Sequence, residues 1–116
     1  MRDPAERLRD ILEGINKIEE YSDRGKSAFE GDPLIQNWFL RHLQIIGEAA
    51  RALPESIRDI SPSIPWRDVI GMRHILVHQY FGIDLEVVWQ IVSTDLPKIK
   101  PEMEALLKNI EASHSA

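Results

Sequence analysis

An all-α fold, an antiparallel bundle of about five helices, is predicted by three observations. Apolar residues recur at helical spacing along most of the chain, no run alternates with the period of a half-buried strand, and the breaks fall at Asp, Gly and Pro. At 116 residues, 43% hydrophobic and 28% charged, the chain fits one globular domain, over 1–111, with 112–116 as a frayed tail.

The first helix is expected over roughly residues 3–22, carried by Leu8, Ile11, Leu12, Ile15 and Ile18 and followed by Gly25. The stretch "SDRGKSAFEGD" reads as a polar linker. Its "GKS" echoes the end of a phosphate-binding loop, but Glu20 stands where that loop needs glycine and no strand precedes it, so the echo is set aside. Asp32 is placed as an N-cap and Pro33 at the first helical position of a long second helix through Leu34, Ile35, Trp38, Phe39, Ile45, Ile46, Ala49 and Leu53, stopped by Pro54. A short helical turn is expected at Glu55–Asp59, and extended chain at Pro62 and Pro65. A third long helix then starts near Pro65 or Trp66 and runs to Gly82. Asp84 caps a fourth helix with Leu85, Val88, Trp89 and Val92, and a fifth covers about Asp95 to Glu111 with Pro97 in its first turn.

Composition narrows the function classes. Without cysteine there are no disulfides, thiolate nucleophiles or thiolate zinc sites, which suits a reducing cytoplasm. No apolar run reaches membrane-span length and the N-terminus lacks a signal-peptide core, so a cytoplasmic protein is expected. The net charge of −5 argues against broad nucleic-acid binding, but charges more than about 8 Å apart are largely screened, so a local basic patch can still hold phosphate on an acidic protein.

The third helix carries "RHILVHQY". At about 100° per residue, Val69, Met72, Ile75 and Leu76 mark its core-facing side. Arg67, His74 and His78 cluster within about 40° on the opposite side, with Arg73 on a flank and Tyr80 returning to nearly the azimuth of Arg73. A surface helix carries such charge opposite its apolar stripe without any site to serve. His74 and His78, at i and i+4, also have metal-ligand spacing, but the third ligand and glutamate of a zinc-protease helix are missing, and neither metal nor cofactor is expected. His42 reads as solvated, and Trp38, Trp66 and Trp89 as core anchors on separate helices. Glu48 in "IGEAA" could pair with Arg73, though an exposed helical glutamate is the plainer account.

The run R-x-x-x-x-H-x-Y, here Arg73, His78 and Tyr80, resembles the motif of HepT-like toxins, a branch of the HEPN superfamily of small helical ribonucleases. "DILEGINKIEEY", "QIIGEAARALPESIR", "IPWRDVIGMRHILVHQYFGIDLEVVW" and "IVSTDLPKI" are similar to that family in order and spacing over nearly the whole chain. The resemblance implies a HEPN-like homodimer with a metal-independent RNase site at the dimer cleft. Arg73 and His78 map to its catalytic pair and His74 to a supporting position. Tyr80 maps to the residue to which a partner antitoxin, an MntA-like minimal nucleotidyltransferase, adds AMP. The toxin of a type II or VII toxin–antitoxin system is therefore expected, with RNA as substrate. The alternative is a non-catalytic, phosphate-binding helical subunit of the nucleotidyltransferase.

These residue types suit metal-free RNA cleavage. A histidine with an ordinary pKa near 6.5 can move protons at neutral pH, and the arginine fork matches phosphate oxygens while staying charged. On an ideal helix Arg73 and His78 diverge by about 140°, so both reach one phosphate only if the helix loosens, the arginine wraps round, or two copies of the helix face each other across a two-fold axis.

Overall fold

The computed structural model describes residues 3–75 and 84–115. Within them the chain is helical, with no strand. Helix α1 spans Pro4–Ser22, α2 Lys26–Gly31, α3 Pro33–Ala52, α4 Glu55–Arg58, α5 Trp66–Gly71, α6 Leu85–Gln90 and α7 Leu96–Ser115, with a π-helical turn, Ile91–Asp95, joining α6 to α7.

Three long helices make the frame. α1 starts where the Asp3 carboxylate accepts the Glu6 amide at 3.1 Å ahead of Pro4, and α3 starts where Asp32 accepts the Leu34 amide at 2.9 Å ahead of Pro33. Each cap satisfies an amide that has no partner inside its helix. α1 and α3 run antiparallel. The Trp38 indole donates to the Lys17 carbonyl at 2.7 Å, and one turn further back along α1 Gly14 lies against Ile46, whose Cγ1 would sit 2.8 Å from a Cβ at residue 14. α7 packs antiparallel on the other flank of α1, with Lys100 paired to Glu19 and Arg9 to Glu111, each at 2.9 Å.

Between these helices lies one core, in which Leu8, Ile11, Ile15 and Ile18 of α1 meet Phe39, Leu40, Leu43 and Ile46 of α3 and Leu96, Met103 and Leu106 of α7. Burying one such side chain contributes about 1.5–3 kcal/mol, which outweighs an exposed ion pair such as Arg9–Glu111, worth about 0–1 kcal/mol.

Two expected features differ. The stretch read as a polar linker contains α2, entered through Gly25 at φ 94°, a backbone conformation that favours glycine. Phe29 holds it down, fully buried and stacked on Phe39 at 5.3 Å and Trp89 at 5.6 Å. α7 also runs to Ser115, four residues past the expected end at Glu111.

α6 begins where Asp84 accepts the Val87 amide at 3.2 Å, as its sequence predicts. It does not stop before α7. Pro97 has no amide for the Ser93 carbonyl, and its ring would clash with that carbonyl in a regular helix. The turn just before it widens, so that the Leu96 amide reaches back five residues to Ile91.

Candidate functional site

α5 is anchored at its entry by Trp66, whose indole N–H is shared between the Arg58 and Ser61 carbonyls, each at 3.0 Å. Val69 and Met72 face the core. After Gly71 the α-helix gives way to a tighter 3₁₀ turn over 72–75, so the long regular helix expected from Trp66 is α-helical only as far as Gly71 within the described residues.

The change coincides with a close contact. Gly47, deep in α3, has no side chain, and a Cβ built there would lie 2.5 Å from the Arg73 amide nitrogen, 2.9 Å from the Arg73 Cβ and 3.0 Å from the Ile70 carbonyl oxygen. The end of α5 therefore rests on the α3 backbone, and the Arg73 Cα–Cβ bond leaves from a fixed seat. A glycine in a helix interior costs about 0.5–1 kcal/mol relative to alanine, and this contact is its structural return.

From that seat the Arg73 side chain, 29% exposed, extends to Glu48, the next residue on α3. Its Nη1 donates to Glu48 Oε1 at 3.4 Å, and the other oxygen of the same carboxylate accepts from Arg51 Nη2 at 3.3 Å. The Arg51 hydrogen bond first, and that of Arg73 after it, hold the Glu48 carboxyl below the usual carboxylate range against an opposing desolvation larger than the Arg73 contribution. Glu48 is thus exposed, as its position on the helix suggests, and also paired with Arg73, against the plainer account. The Arg73 Nε is enclosed with no hydrogen-bond partner among the described residues.

His74 follows Arg73 in sequence and is exposed. His78, Tyr80 and Leu76 lie outside the described residues. Arg67 is exposed too, but it lines a cavity of about 760 Å³ between α5, the π turn and α7, with Met72, Ile91 and Ile99 among its walls, whereas Arg73 turns to α3. No group of three or more His, Cys, Asp or Glu residues gathers as a metal site among the described residues.

His42 corrects its sequence-based reading. It is half-buried on α3, with its ring edge-on to Trp38 at 4.5 Å and its Nε2 enclosed without a partner among the described residues. Desolvation first, then Arg41 and Lys17, lower its pKa below the ordinary 6.5, against weaker opposite effects of Glu13 and Glu20. Sequence reasoning also missed the seat at Gly47 and the claim of Arg51 on Glu48. Gly47 did leave a trace, since an isolated glycine between Ile46 and Ala49 in a strong helical pattern asks for a packing reason.

No helix among the described residues is long and apolar enough to cross a membrane. The model of a family described as "Ribonuclease HepT-like" matches residues 11–106. A Methanocaldococcus jannaschii protein bearing the name "Putative RNase" is 42% identical over 104 residues, 89% of this chain and 95% of that protein. "Probable ribonuclease HepT" of Thermococcus cleftensis is 40% identical over 104 residues, 87% of this chain and 93% of its own length. A bacterial protein also named as an RNase, from Caldanaerobacter subterraneus, is 31% identical over 109 residues, 93% of this chain and 97% of that protein. No solved structure matches. With the arginine of the R-x-x-x-x-H-x-Y run seated on the glycine of "IGEAA", and with this agreement over most of its length, the chain belongs to the HepT-like ribonuclease family of the HEPN superfamily.

Proposed function

We propose that the protein is a metal-independent endoribonuclease, the toxin of a toxin–antitoxin pair acting in the cytoplasm. The observation that carries this reading is the seating of Arg73. A guanidinium whose backbone rests on Gly47 and whose Nη1 is held by Glu48 is pre-organised at the protein surface, which is what stabilising a developing phosphorane charge requires. The RNA 2′-hydroxyl attacks the adjacent phosphorus, the bond to the 5′-oxygen breaks, and the products are a 2′,3′-cyclic phosphate and a 5′-hydroxyl. His78 moves the protons, Arg73 offsets the charge, and His74 supports the site. The scheme needs no metal and no cofactor.

Two copies complete the site. With the α5 walls facing across a two-fold axis, one cleft collects arginines and histidines from both subunits and concentrates positive potential on a chain of net charge −5. A minimal nucleotidyltransferase antitoxin transfers AMP from ATP to the Tyr80 hydroxyl, releasing pyrophosphate, and the added anion competes with RNA phosphate at the cleft.

The test is RNA cleavage by the purified protein with EDTA present. Fragments ending in cyclic phosphate are expected, and His78→Ala should lower the rate by about 10²–10⁴-fold with helix content unchanged. RNA bound but left whole by the wild type would instead favour the non-catalytic phosphate-binding subunit.

A further inference from the structure

Glu48 puts a negative charge beside the arginine that is to meet a polyanion. By charge alone it should weaken RNA binding, so its place there calls for another account. Three observations supply one. Glu48 follows Gly47 directly, so the carboxylate and the Arg73 backbone seat are built from consecutive residues of one rigid helix. Among the described residues the enclosed Arg73 Nε has no partner, which leaves the Nη atoms as the working donors. Of these, Nη1 is bound to Glu48 Oε1.

We propose that Glu48 is the positioning residue of Arg73: by holding Nη1 it fixes the plane of the guanidinium and presents Nη2 to the scissile phosphate. This rests on the proposed role of Arg73 at that phosphate. Arg51 is the internal control, because it binds the same carboxylate three residues along the same helix but is itself 53% exposed and is not seated on Gly47. A fixed plane matters because a misplacement of about 1 Å can cost about 10²-fold in rate.

The two accounts of Glu48 predict opposite kinetics for Glu48→Gln. If the carboxylate only contributes surface charge, KM for a short RNA falls and kcat stays. If it positions Arg73, kcat falls about tenfold while KM falls or stays, since removing an anion near RNA strengthens attraction. Glu48→Ala, which lacks even an acceptor oxygen, should lose more kcat than Glu48→Gln, and Arg51→Ala should keep kcat within about twofold of wild type.

A second readout does not depend on catalysis. In side-chain NMR of the intact protein, rotation about the Arg73 Nε–Cζ bond should be hindered in the wild type, freed in Glu48→Gln and still hindered in Arg51→Ala. Free rotation in the wild type, or an unchanged kcat in Glu48→Gln, overturns the proposal. If the wild type cuts no RNA, the proposed function falls on its own, and the rotation measurement still decides whether Glu48 holds Arg73.

Discussion

α3 keeps twenty residues in one unbroken α-helix, whereas α5 keeps six before its turns tighten at Met72. α3 buries Ile35, Phe39, Leu40, Leu43, Ile46, Ala49 and Ala50, while α5 buries Val69 and relies on Trp66 at its entry. The two meet where α3 gives up a side chain, at Gly47, and there the motif arginine begins. Packing and the proposed chemistry are therefore divided between them. The long helix supplies the packing free energy, and the short one, with little core of its own, leads into the arginine proposed to meet phosphate.

The contrast can be broken most severely from the α3 side. Phe39→Ala removes a fully buried ring stacked on Phe29 and should lower unfolding free energy by about 3–5 kcal/mol in urea titration. Gly47→Ala acts at the junction. Its methyl would meet the Arg73 backbone at 2.5 Å, so a loss of about 1–3 kcal/mol is expected in the same titration. RNA cleavage should then fall by more than that stability loss explains, because the arginine is pushed off its seat. A Gly47→Ala protein with wild-type kcat would show that the junction serves packing alone.

The smallest effect sharpens the contrast by pH. His42 lies on the packed side, and its folded-state pKa is depressed below 6.5. The unfolded chain then takes up the proton first, so this contribution to stability is complete above about pH 6.5 and is lost as the pH falls toward the folded value. Urea titrations between pH 7 and 5 should show that decline, and His42→Gln should flatten it. The Glu48 carboxyl, held below its usual range by Arg51 and Arg73, adds to the slope only near the bottom of that window, where the unfolded carboxyl begins to protonate toward its ordinary value near 4.5.

Much of the frame was legible because caps and periodicity are local. Asp32 with Pro33, Asp84, and the stop at Pro54 each act within one turn of their helix, and the structure places helix ends there. α2 was missed for the opposite reason. Half of its residues are polar, and its stability comes from one phenylalanine that meets Phe39 on the next helix and Trp89, a partner far along the chain that no short window of sequence contains. The early end of regular α-helix in α5 was hidden in the same way, since the contact beside it involves the backbone of another helix. Of the candidate site, the R-x-x-x-x-H-x-Y run could be read directly. The seat beneath Arg73 and the bond to Glu48 could not, because they depend on how α3 and α5 are docked.

The widened turn before Pro97 also sets a phase. Core positions along this stretch fall at Val88, Val92 and Leu96, four apart, and then at Ile99, Met103, Leu106 and Ile110, alternating three and four. The wide turn absorbs roughly one surplus residue, and by that means Trp89 upstream and Met103 downstream both point inward. Inserting a further residue beside Thr94 would exceed what the turn absorbs and swing everything upstream by about 100°. The indole would leave its stack on Phe29, and α2 would lose its anchor without any change to its own residues.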